Sequence, residues 1–274
     1  TEFYFDSNQF KGLSCKGADG GAGLHITNGA TIEVSNCKFI DCVGFGPDSG
    51  MVRIPSGNNA GSQLIFNLCE FNNDQHSTDA NARAVYIAGD SLIRFNACTF
   101  SSYTEAERDG AVLYSKSTSS TAFFNCTFLG LKGECLMHLE NAIEAELLNC
   151  QFSSCEVGQS LMVAAEATNY TVAHCIFNND KNVIKFGSKV ADGLIYNNSF
   201  TQCSSNFGTV YIDGPTVNCE ILENNFTKCT AESEGLAIYI NAGELISIHD
   251  CKFTNNYNQG TDLYTIYSRS AGLN

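Results

Sequence analysis

Residues 35–42 read Ser-Asn-Cys-Lys-Phe-Ile-Asp-Cys, two cysteines around a phenylalanine in a chain with 14 Cys and no Trp. Taken alone, the stretch fits a metal site, a redox pair or a disulfide. Its recurrence decides the fold. A Cys/Asn-x-Phe triplet returns at Asn8-x-Phe10, Cys37-x-Phe39, Cys69-x-Phe71, Cys98-x-Phe100, Cys126-x-Phe128, Cys150-x-Phe152, Cys175-x-Phe177, Asn198-x-Phe200, Asn224-x-Phe226 and Cys251-x-Phe253. The Phe-to-Phe steps are 29, 32, 29, 28, 24, 25, 23, 26 and 27. Self-similarity at such a period marks a solenoid.

Three residues before each triplet the position is always apolar, from Phe5 and Val34 through Phe66, Phe95, Phe123, Leu147, Val172, Ile195 and Ile221 to Ile248. Five residues before, it is usually apolar, so a period-2 strand feeds a bend. A second alternating strand lies upstream of most triplets, as in Val85-Tyr86-Ile87, Met137-His138-Leu139 and Ile238-Tyr239-Ile240. Each unit thus holds at least two short strands, a bend and a polar loop of variable length, with Pro47, Pro55 and Pro215 all in loops. A unit this short buries its apolar face only against its neighbours. The expected fold is therefore all-β: a right-handed parallel β-helix of about ten coils, roughly 48 Å long at the strand spacing, spanning residues 1–274 as one domain. A leucine-rich repeat fits poorly, because leucine does not dominate the repeat and the connections lack helical periodicity.

In such a coil Cys37, Cys69, Cys98, Cys126, Cys150, Cys175 and Cys251 share one column with Asn198 and Asn224. Cys42, Cys155, Cys203 and Cys229 share another with Asp74, Asp180 and Asn256. Parallel stacked side chains keep their Cβ atoms near the strand spacing, beyond the reach of a disulfide, so the columns are expected to be free, buried thiols. Corner pairs such as Cys37 with Cys42, and Cys15, Cys135 and Cys219, retain the geometric option of pairing. No Cys-x-x-Cys occurs and the five histidines are scattered, so neither metal nor cofactor is expected. Asn36, Asn125, Asn149 and Asn197 fall at the bend, where a left-handed backbone suits Asn.

The formal charge is -14. It repels phosphate backbones and excludes nucleic acid as a natural partner. No apolar run long enough to span a bilayer exists, so no membrane insertion is expected within this chain. The first coil starts midway at Phe3 and Phe5 and the last ends midway at Leu263-Tyr264-Thr265-Ile266. The reading is an excised part of a longer solenoid, with end-to-end contact to further coils or to another chain.

Hydrolases and lyases on this scaffold carry Asn-Thr-Asp, Asp-Asp, Gly-His-Gly and Arg-x-Lys sets, or calcium carboxylates beside a catalytic Arg. None is present, and no catalytic residue is assigned. Glu105, Glu107, Asp109, Glu232 and Glu234 read as solvated loop charge. The outward positions of the first strand, His25, Arg53, Tyr86, Leu113, His138, Val163, Lys185, Tyr211 and Tyr239, form a stripe suited to stacking on sugars or docking a protein. His25, Arg53, Tyr86, His138, Lys185, Tyr211 and Tyr239 are the candidate ligand-binding residues. The longest loops, 41–49, 72–81 and 101–109, would place any loop-built patch in the N-terminal half. Four sequons occur, at Asn125, Asn169, Asn197 and Asn225. Asn125 and Asn197 are bend residues expected to face inward, which leaves Asn169 and Asn225 as the glycosylation candidates.

Gly20-Gly21-Ala22-Gly23-Leu24, Gly110-Ala111-Val112 and Phe253-x-x-Asn256, with Phe39-x-x-Cys42, Phe152-x-x-Cys155, Phe200-x-x-Cys203 and Phe226-x-x-Cys229 as altered forms, give the repeat a known likeness. It resembles that of chlamydial polymorphic outer-membrane proteins and their relatives in eukaryotic parasites. The resemblance implies an extracellular or cell-surface, adhesin-like module without catalysis that presents a rigid face to a protein or glycan ligand. The alternatives are a polysaccharide-active lyase or hydrolase, and an intracellular or axonemal structural rod, which free thiols would suit.

Overall fold

The structure is a computed structural model that describes residues 2–269, apart from 17–19, 28–29, 45–47, 56–60, 74–82, 104–109, 165–168, 188–189, 215–217, 233–234 and 258–263. At 162–164 only the backbone is described. Asp74, Glu105, Glu107, Asp109, Glu234, Pro47 and Pro215 lie outside the described residues, as do most of the three long loops.

The chain winds through three ten-stranded sheets, each built entirely of parallel neighbours one coil apart. Sheet I runs from Glu2–Asp6 to Leu245–His249, sheet II from Gln9–Lys11 to Lys252–Thr254, and sheet III from Gly21–His25 to Tyr264–Ser268. The solenoid is right-handed and, among the described residues, free of helices. Sheet II is a third sheet beyond the two strands per unit read from the sequence. It consists of the x-Phe-x triplets themselves, three-residue strands such as Thr127–Leu129.

The bend between sheets I and II is a column of left-handed residues: Ser7, Asn36, Leu68, Ala97, Asn125, Asn149, His174, Asn197, Glu223 and Asp250, all with φ between 50° and 57°. Asn36, Asn125, Asn149 and Asn197 thus hold the conformation expected of them. A second left-handed column follows the Phe by two residues, with Gly12 and Gly130 among its members. These two corners turn the chain sharply without a long loop.

Inside, the triplet phenylalanines stack in one file from Phe10 to Phe253. Every step is parallel, with ring centroids 4.3 to 5.2 Å apart. Phe66, Phe95 and Phe123 form a shorter file that meets the first edge-on, the favourable offset for ring quadrupoles.

All fourteen cysteines are free, and all but Cys15 and Cys251 are buried. The stacked ones do more than fill space. In the first column each Sγ lies 3.2 to 3.7 Å from the carbonyl oxygen three residues before the preceding triplet, for example Cys126 on Phe95 and Cys150 on Phe123. Asn198 and Asn224 donate their amide nitrogens to Val172 and Ile195 in the same place, at 2.9 and 2.7 Å. The column is therefore a row of side-chain donors capping buried carbonyls, and Cys and Asn alternate because both can donate there.

Candidate functional site

Sheet III carries the outward ladder. Its register sets His25 beside Arg53, then Tyr86, Tyr114, His138, Val163, Lys185, Tyr211, Tyr239 and Tyr267 in one continuous column. Leu113 does not belong to it. Leu113 is fully buried in the core, and Tyr114 takes the outward place.

Being on the outward face is not the same as being exposed. Arg53, Tyr86 and Tyr239 retain only 6%, 1% and 3% of their accessible surface, so they are buried rather than open to a docking partner. Turns fold over them. Arg53 Nε donates to the Asp48 carbonyl at 2.8 Å. Burial and the Asp48 carboxylate together push the Tyr86 phenol above its usual range. Gly208 packs so tightly on the backbone of Tyr239 that a Cβ would sit 2.8 Å from its nitrogen. His25 is exposed, and Tyr114, His138, Lys185, Tyr211 and Tyr267 are half-buried.

The accessible part of the ladder falls into two groups. In the first, Tyr114 stacks on His138 at 4.7 Å, receives the Arg83 guanidinium 4.8 Å above its ring and donates its hydroxyl to Glu140. In the second, Phe207 leans on Tyr211 at 4.9 Å and on Tyr239 at 5.5 Å. Lys185 lies 5.4 Å over the Tyr211 ring and pairs with Asp213 at 3.2 Å, and Arg269 sits 5.9 Å over Tyr239. Burial opposes ionisation of Asp213, yet hydrogen bonds from Tyr211 and Asn241 and the Lys185 charge hold its carboxyl below the usual range. Burial and that carboxylate in turn raise the Tyr211 phenol. A cleft of about 160 Å³ opens beside Phe207, between Lys185, Gln159 and Asn206. The signal that Tyr114, Phe207 and Arg83 leave in a sequence, an aromatic beside a cation, is too common to single them out.

Sheet I carries the opposite character. A shallow groove of about 480 Å³ runs over Glu144, Asn169, Thr171, Asp192, Asn218 and Glu220. Two of its carboxylates are engaged in cross-coil hydrogen bonds: Asn218 donates to Asp192 at 2.9 Å and Ser120 to Glu144 at 3.0 Å. Burial, then the neighbouring Glu144, raises the carboxyl of Glu146, which Arg94 partly offsets.

Among the described residues no three His, Cys, Asp or Glu side chains converge as a metal site, and no helix is long and apolar enough to cross a membrane. The sequon asparagines Asn169 and Asn225 are exposed. So are Asn125 and Asn197, contrary to the inward orientation expected of them, because the left-handed bend turns the residue before the Cys/Asn column outward.

A family model described as "Right handed beta helix region" matches residues 22–200 and, overlapping, 110–270. The chain belongs to the right-handed β-helix family. No curated protein matches it. Right-handed β-helices share a scaffold and not a chemistry, so function rests on the faces described above.

Proposed function

We propose that this β-helix is a non-enzymatic, adhesin-like surface module of the polymorphic-outer-membrane-protein kind, acting outside the cell and presenting sheet III to a protein or glycan ligand. The supporting observation is the in-register ladder of aromatic and cationic side chains, from His25 to Tyr267, on a chain that is otherwise acidic. Side chains fixed at coil spacing on a stacked core lose little entropy on binding, which favours recognition by a rigid face. Labelled protein is expected to bind arrayed glycans or intact cells, and the double substitution Tyr114→Ala, Lys185→Ala to remove most of that binding while the fold survives. Undiminished binding by the double variant, or none by the parent chain, overturns the reading.

A second reading is a polysaccharide lyase or hydrolase working on sheet I, where Glu146 pairs in register with Thr171 at the edge of the groove and its raised carboxyl favours it as a proton donor. Release of reducing ends from acidic or neutral polysaccharides, abolished by Glu146→Gln, would establish it. A third, a structural rod inside the cell, draws on the free buried thiols. It predicts a chain that carries no glycan in its native source, which intact mass decides.

A further inference from the structure

The cleft beside Phe207 has the make-up of a subsite for a single sugar ring. Phe207 keeps 41% of its surface exposed although two tyrosines are within reach to cover it. The turn that holds it is built rigidly. Gly208 lies against Tyr239 where no other residue fits, and the buried Asn182 ties the turn to the neighbouring coil. Its Oδ1 accepts the Asn206 N–H at 3.1 Å while its Nδ2 donates to the carbonyls of Val157 and Gly158 at 2.8 and 3.0 Å. An exposed ring kept on so fixed a support is preorganised for contact.

Size and charge narrow the occupant. The cleft, at about 160 Å³, falls well below the several hundred Å³ typical of sites that enclose a whole drug-sized ligand, so it takes one ring and leaves the rest outside. Its polar lining is balanced: the Lys185 ammonium is paired with Asp213 at 3.2 Å, and Gln159 and Asn206 add neutral amides. A fixed anion would have to compete with Asp213 for Lys185. Hydroxyl groups need no such exchange, since an ammonium carries three donors and the amides offer both donors and acceptors.

We propose that this cleft is a neutral hexopyranose subsite, with the C–H face of the sugar on the Phe207 ring and its hydroxyls held by Lys185, Gln159 and Asn206. The inference rests on the ligand-face reading above and deepens it by naming the ligand class and its place.

Saturation-transfer NMR on the whole chain tests it, with the methyl glycosides of β-glucose, β-galactose, α-mannose and α-galacturonic acid as probes. Transfer to at least one neutral glycoside is expected. Phe207→Ala should weaken it about tenfold, while Phe207→Trp preserves it, the thermal midpoint staying put in both. No transfer to any glycoside, transfer unchanged in Phe207→Ala, or transfer to the galacturonide alone overturns the proposal. Glycan or cell binding that Tyr114→Ala removes and Phe207→Ala leaves intact also overturns it, yet leaves sheet III standing as the ligand face.

Discussion

At Leu68 the backbone turns between sheets I and II with φ 54°, and its side chain is 62% exposed. A branched-at-γ apolar residue gains nothing there and bears the cost of the left-handed conformation, on the order of 1 kcal/mol. Four other members of the column are Asn, the residue that tolerates the conformation best. Leu68→Asn should therefore stabilise the protein by about 0.5–1 kcal/mol, read as a rise in urea midpoint at constant slope. An unchanged midpoint would mean the bend carries no strain. Asp180 presents the converse case. It sits in the second thiol column, where its carboxylate accepts the N–H groups of Cys155 and Asn178 at 2.7 and 2.9 Å. Burial nevertheless outweighs those bonds and lifts its carboxyl to about 7. An unfolded aspartate titrates near 4. Between the two values the folded chain keeps a proton that the unfolded chain has lost, so the stability that Asp180 contributes is full below about pH 4 and is lost as pH rises to about 7. The loss is on the order of 4 kcal/mol. Asn256, in the same column, shows how an amide sits there, accepting from Cys229 and donating to the Phe226 carbonyl at 3.1 Å. Asp180→Asn is expected to flatten the pH dependence and to raise the denaturation midpoint at pH 8. A parallel pH profile in the variant would place the titration elsewhere.

At the scale of an element, the phenylalanine file shows what the sequence made legible. Its period, its inward direction and its single-file stacking followed from one apolar residue at a fixed place in ten units. Sheet II did not follow, because three-residue strands are too short to display alternation. The slip between Leu113 and Tyr114 has a related cause: Ala111, Val112, Leu113 and Tyr114 are all apolar or aromatic, so no period-2 signal marks which of them faces out. Burial of Arg53, Tyr86 and Tyr239 was illegible for another reason. The turns that cover them, around Asp48 and Phe207, reach across coils, and strand periodicity says nothing of what lies over a face. Within the file, Phe128 has a ring 4.3 Å away on one side and 5.1 Å on the other, whereas Phe10 has one stacked neighbour and is only half-buried. Phe128→Ala should cost about 3–5 kcal/mol and Phe10→Ala markedly less. Equal losses in chemical denaturation would deny that the file is a shared core. The thiol column permits a sharper comparison. Cys150→Asn should be tolerated, because Asn198 and Asn224 already cap carbonyls there, while Cys150→Ala leaves the Phe123 carbonyl without its donor and costs about 1–3 kcal/mol.

Across the whole molecule, stability is close to one-dimensional: each coil packs mainly on the coils on either side, the buried Tyr103 hydroxyl on Met51 two coils away being an exception, so in these 274 residues taken by themselves local opening is expected to begin where a coil has one neighbour. Sheet I ends at Glu2–Asp6 and Leu245–His249, and the exposed Phe3, Tyr4 and Leu245 lie on those outer strands. The cysteines are placed to report this gradient without any added probe. Cys15 and Cys251 are partly exposed near the two ends, and Cys98, Cys126 and Cys150 are buried in the middle coils. Alkylation of a thiol requires the thiolate and an open path to it. Under native conditions, timed labelling with iodoacetamide followed by peptide mass spectrometry should modify Cys15 and Cys251 within the first time points. Cys37, Cys42 and Cys229 should follow, with Cys126 and Cys150 last, at a rate that converges on global unfolding. Denaturation before labelling should yield 14 reactive thiols. Fewer than that would reveal a disulfide and contradict the free column, and uniform native labelling of end and middle cysteines would show that the coils open together rather than inward from the ends.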